Sequence, residues 1–146
     1  MLFKSKMDRT FRIFISISIL IIGISCFFPV FLDEEIPPEA MAILIGVFIL
    51  IVAFLLWMLF GIQYVFNEEY LLVKGGPFRS QIAYENITKV SPTRDIYTGY
   101  RLSTSTDGIE IFYKTGFSGS VKISPKEKEL FLSELKKHCP HAKIEF

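Results

Sequence analysis

Cysteine and histidine are scarce in this sequence, with only two residues of each, and two long stretches contain no charged side chain at all. Two cysteines cannot build a disulfide framework. Cys26 lies inside a charge-free run and Cys139 near the other end, so a bridge between them within one chain is geometrically excluded, and both are expected as free thiols. His138 and His141 flank Cys139. That grouping lacks a nearby fourth ligand and falls where a helix should end, so it reads as a solvated helix terminus, and no metal or cofactor is expected. Formal net charge is +1, which leaves no electrostatic footprint for nucleic acid. The serine and threonine run before Asp107 has no histidine base beside it, so turn chemistry explains it and no catalytic residue is assigned.

What the chain has in excess is apolar sequence, 51% by composition, crowded ahead of about residue 62. The first run, Ile13 to Leu32, is uncharged and reaches ~30 Å as a helix, the thickness of a bilayer's hydrocarbon core. The second, Ala40 to Gly61, is also uncharged and ends in Phe54, Trp57, Phe60 and then Tyr64, aromatics expected at headgroup level. Between them Asp33 to Glu39 is short, acidic and broken by Pro37 and Pro38, so the two helices should form an antiparallel hairpin. A removable signal peptide fits the first run badly. No small-x-small site follows it, and Gly23-Ile24-Ser25 ahead of Cys26 lacks the large aliphatic residue of a lipoprotein signal.

Charge distribution orients the hairpin. Lys4, Lys6, Arg9 and Arg12 precede the first run, whereas Asp33, Glu34, Glu35 and Glu39 fill the link. Positive flanks stay inside, so residues 1–12 are expected as a basic cytoplasmic N-terminus, 33–39 as an acidic external loop, and both termini at the cytoplasmic face of a multi-pass cell-membrane protein. With no ionisable group in either run except the Cys26 thiol, the hairpin alone offers no ion or proton path. Ala42, Gly46 and Ala53 share a helical face that lets a neighbour approach, either the first helix or a second copy. Ser16, Ser18, Gly23 and Ser25 supply small positions on the first helix.

From Gln63 to Phe146 the pattern becomes that of one small water-facing domain. Tyr64–Phe66, Tyr70–Lys74, Phe78–Tyr84, Ile87–Ser91, Ile109–Tyr113 and Ser118–Ile123 read as strands of an antiparallel meander, with turns at Gly75-Gly76-Pro77 and Asp107-Gly108. A helix should follow from Pro125 to about His138. Ser124 is placed to cap it and Glu127 to complete a capping box, while Leu130, Phe131 and Leu135 make its buried stripe. The fold class is therefore a membrane α-hairpin carrying an α+β domain.

Four segments resemble a known family: Gly76-Pro77-Phe78-Arg79; the run from Ile82 through Tyr84-Glu85-Asn86-Ile87 to Val90; Leu102-Ser103 with Ile109-Glu110-Ile111; and Ile123-Ser124-Pro125-Lys126 with Phe131 and Leu135. Together they resemble the bacterial pleckstrin-homology-like domains of the YyaB-like group, from about Tyr64 to Pro140. The resemblance implies a bent, partly open antiparallel β-barrel or sandwich capped by the C-terminal helix. It carries over no catalytic motif, and the run Ser103-Thr104-Ser105-Thr106-Asp107 departs from the family's more apolar pattern.

Taken together these features predict a non-enzymatic, membrane-tethered scaffold that engages a membrane or cytoplasmic protein at the cytoplasmic surface. Envelope function or immunity to a membrane-active peptide would be its setting. The alternatives are a sensor of anionic lipid and an accessory subunit of a larger membrane complex. The surface proposed for partner or lipid contact comprises Lys89, Arg94, Tyr97, Arg101, Tyr113 and Lys114.

Overall fold

The computed structural model describes residues 1–32, 35–95 and 98–146. A short strand, β1 (Leu2–Lys4), opens the chain, followed by helices α1 (Arg9–Leu32) and α2 (Pro38–Phe60). The soluble part then runs β2 (Gln63–Phe66), β3 (Tyr70–Gly75), β4 (Phe78–Ala83), a single 3-10 turn (Tyr84–Asn86), β5 (Ile87–Thr93), β6 (Arg101–Leu102), β7 (Gly108–Tyr113), β8 (Ser120–Ile123), α3 (Lys128–His138) and β9 (Lys143–Ile144). The acidic link falls partly outside the described residues, at Asp33 and Glu34.

Both long helices are apolar enough to cross a membrane, and neither buries a residue in the protein. Faces of leucine, isoleucine and phenylalanine as large as these are not left open to water, so a bilayer is the solvent that suits them. The helices meet along a seam that includes Leu44 and Phe48. The Phe27 and Phe48 rings lie 5.6 Å apart at a steep angle, and the Cys26 thiol donates to the Leu44 carbonyl at 3.6 Å. A β-carbon on Gly23 would already touch the Phe48 ring at 3.4 Å. The small-residue stripe on α2, read as a face for either the first helix or a second copy, lies away from this seam. Ala42, Gly46 and Ala53 are exposed, with open space where a side chain on Gly46 would project. Larger residues interdigitate at the seam because the aromatic Phe48 fills the space that glycine at position 23 leaves.

The strands form two sheets, ordered β1-β2-β3-β4 and β6-β8-β7-β5-β9, and these are not closed into a barrel. The expected hairpins are present, but the meander is not purely antiparallel, since the short edge strands β6 and β9 pair in parallel with β8 and β5. Two-residue edge strands carry too little pattern to be read locally. Alternation along β3 and β7 sends Leu71, Val73, Ile109 and Ile111 inward to meet Phe131 and Leu135 of α3 in one core. Leu130 departs from the expected stripe and is 52% exposed.

The N-terminal segment is the element the sequence pattern hid. β1 pairs antiparallel with β2 and inserts Phe3 between Phe66 and Phe131, at 5.6 and 5.4 Å between ring centroids. The chain then crosses the gap between the sheets. Lys6 N–H bonds to the Ser124 carbonyl at 2.7 Å, and Lys126 N–H to the Lys4 carbonyl at 2.9 Å. A further bridge pairs Met7 with Thr104.

Candidate functional site

The most elaborate polar arrangement lies where the two helices enter the domain. Asp8 is the residue before α1, and one of its carboxylate oxygens accepts from the Phe11 amide at 2.8 Å, which caps the helix. Its other oxygen accepts from the Thr106 amide, the Thr106 hydroxyl and the Ser105 hydroxyl at 2.7, 2.8 and 3.0 Å. Desolvation pushes this carboxyl upward. The hydrogen bonds from Thr106, Phe11 and Ser105 outweigh it and hold the carboxyl down at about 2.

Behind Asp8 lies a cluster of hydroxyls. Tyr64, fully buried on β2, donates to the Leu102 carbonyl at 2.6 Å and accepts from the Ser124 amide at 3.1 Å. The Ser5 hydroxyl bonds those of Thr104 and Ser124 at 2.8 and 3.0 Å, and the Ser124 hydroxyl accepts from the Thr104 amide at 3.0 Å. Burial raises the Tyr64 phenol above its ordinary value. Two expectations fail here. Tyr64 belongs to the core and not to a headgroup belt. Ser124 does not cap α3, which begins only at Lys128 with no side-chain cap. The reason is shared, because residues 124–126 spend their backbone groups on the N-terminal segment before the helix can start.

The second helix is joined by close backbone approach. Gly61 ends α2 with its N–H on the Trp57 carbonyl at 3.0 Å. Gly76, at φ +55°, turns β3 into β4 against that helix end, and a β-carbon there would sit 2.9 Å from the Met58 Cα. Only glycine suits both the dihedral and the contact.

The proposed partner surface is less coherent. Arg101, Lys122, Glu110 and Ser91 stand in one cross-strand row on the outer face of the second sheet, and Phe112 and Lys89 in the next. Lys89 pairs with Glu145 at 3.0 Å, and the almost fully buried Lys122 with Asp95 at 2.8 Å, so the face is mixed in sign. Arg101 is turned toward the joint, with its Nε on the Ser103 hydroxyl at 2.7 Å and its guanidinium 5.6 Å from the Phe11 ring. Arg94 and Lys114 are exposed, Tyr113 is half-buried, and Tyr97 lies outside the described residues. Sequence reasoning missed Phe117, which is wholly exposed on the turn between β7 and β8, flanked by Gly116 and Gly119 at positive φ.

The C-terminal grouping separates. Cys139 is buried, its thiol donating to the Tyr84 carbonyl at 3.6 Å and pushed up by burial to about 11, while His138 stacks on Tyr84 at 4.5 Å. Both cysteines are free. The hydroxyls of the cluster are bonded to one another and to backbone, and the Asp8 carboxylate, held at about 2, is a weak base.

Residues 62–139 match the family described as Bacterial PH domain. The chain belongs to this family. It is 38% identical over 82 residues to the protein named "Uncharacterized protein YyaB" of Bacillus subtilis (strain 168), an overlap covering 56% of each chain. The chain thus spans little more than half the length of that relative. The bacterial PH domain match begins at Ile62, yet Phe3, Ser5 and Asp8, which complete the domain's core and its joint, come from before the first helix. Thr104, Ser105 and Thr106 are among the residues that receive that segment.

Proposed function

We propose that this bacterial PH domain protein is a non-enzymatic, membrane-tethered binding module that presents its β domain to a protein partner at the cytoplasmic membrane surface. The observation that carries the reading is Phe117. An aromatic ring left wholly in water at a hairpin tip contributes nothing to the fold, and buried aromatic anchors dominate the energetics of protein contacts. Two features support the setting. The basic residues Lys4, Lys6, Arg9 and Arg12 favour a cytoplasmic domain. The Asp8 and Gly76 contacts tie both helices to the sheets, so a bound partner would be held at a set distance from the bilayer.

In-cell photocrosslinking from positions 117, 113 and 114, with 97 and 101 as further sites, tests the proposal. A protein adduct from position 117 is expected, together with one from position 113 that weakens about tenfold in the Phe117→Ala variant. Adducts to lipid or to the chain itself alone would refute it.

A further inference from the structure

Between the two helices, next to the joint, lies a groove of about 230 Å³ that no part of the fold fills. Its walls are Ile19, Leu56, Leu59 and Phe60, with Arg12 and Ser16 at one end. The Ser16 hydroxyl is committed to the Arg12 carbonyl at 2.9 Å, which leaves the guanidinium as the group that decides what the mouth attracts. Arg12 is exposed, and Arg9 lies three residues earlier on the same side of α1. Among the described residues neither arginine forms an ion pair, and the carboxylate of Asp8, next to Arg9 in the chain, accepts from Thr106, Ser105 and the Phe11 amide. The neighbouring Lys6 faces Asp107 at 3.8 Å.

A cationic mouth above an apolar slot matches one kind of molecule, an acyl chain bearing an anionic headgroup. A soluble anion would leave the slot empty, and a zwitterionic lipid would bring its own cation beside the guanidinium together with its phosphate. We infer that the groove between α1 and α2 binds one anionic phospholipid, with its phosphate at Arg12 and an acyl chain against Ile19, Leu56 and Leu59. This site is in the helical hairpin and not on the β domain, and it rests on the membrane-spanning reading above. One arginine at a headgroup contributes about fivefold to binding.

The test uses the full chain purified in neutral detergent and given equimolar phosphatidylglycerol and phosphatidylcholine of identical acyl chains, with retained lipid read by native mass spectrometry. At least about a fivefold preference for phosphatidylglycerol is expected. Arg12→Gln should abolish the preference, Ile19→Trp should lower retention of both lipids by filling the slot, and Lys137→Gln should change neither. Equal retention of both lipids by the wild type, or an unchanged preference in Arg12→Gln, would mean adventitious annular lipid only and would overturn the inference. Alkaline carbonate washing of cell membranes is done first. A chain that washes off defeats the membrane reading itself, whereas one that stays but shows no preference defeats only the lipid site.

Discussion

At the scale of single residues, Asp8 ties local and distant structure together. Its folded carboxyl sits at about 2 against an ordinary 3.8, so the folded state favours the ionised form. The resulting stabilisation is complete above about pH 4 and is lost as the pH falls toward 2. Thermal unfolding of the detergent-solubilised chain should therefore weaken across that window, and the Asp8→Asn variant should lose this part of the pH dependence. Asp8→Ala, which also removes the helix cap, should cost about 1–2 kcal/mol at neutral pH. Tyr64→Phe is a sharper test of the hydroxyl cluster. It leaves the buried Ser124 amide without its acceptor and should cost about 1–3 kcal/mol by chemical unfolding, although the ring keeps its packing. Neither role is legible from local sequence. Asp before an apolar helix reads as a charge near a membrane, and a Tyr just after one reads as an interfacial anchor, until the distant partners at Ser105, Thr106 and Ser124 are known.

At the scale of elements, the start of α3 shows how a good local signal loses to a long-range one. Ser-Pro-x-Glu is a capping sequence, yet Ser124 and Lys126 pair with Lys6 and Lys4, and the helix is delayed to Lys128. Ser124→Ala should consequently leave amide-exchange protection within α3 unchanged and raise exchange at Thr104, whose amide loses its acceptor. A loss of protection at the first turn of α3 would restore the capping interpretation. The β3–β4 turn makes the complementary case, because there the glycine pair does announce the reversal and Gly76 adopts the positive φ expected of it. What the pattern omits is the helix packed behind it. Gly76→Ala meets the Met58 backbone as well as an unfavourable dihedral, so it should destabilise by more than the ~1 kcal/mol that the dihedral alone costs, measured as a shift in the unfolding midpoint.

At the scale of the whole molecule, the domain and the hairpin are not beads on a string. The family match covers 62–139, but a fragment beginning at Ile62 lacks Phe3 and the hydrogen-bonding partners in residues 5–8. Removing one buried phenylalanine side chain typically costs about 3–5 kcal/mol, which is a large part of a small domain's stability. Fragment 62–146 should therefore melt well below the intact chain, and a version with residues 1–8 linked in front of Ile62 should recover most of the difference in a calorimetric scan. From sequence alone came the two apolar helices, the strands with clear alternation and their tight turns, because each is specified by neighbours within a few residues. Only the tertiary structure decided the place of β1, the parallel edge strands β6 and β9, the hydroxyl cluster and the true start of α3. Those features depend on which of several equivalent polar partners a short segment meets, and that choice is made by the path of the chain through space.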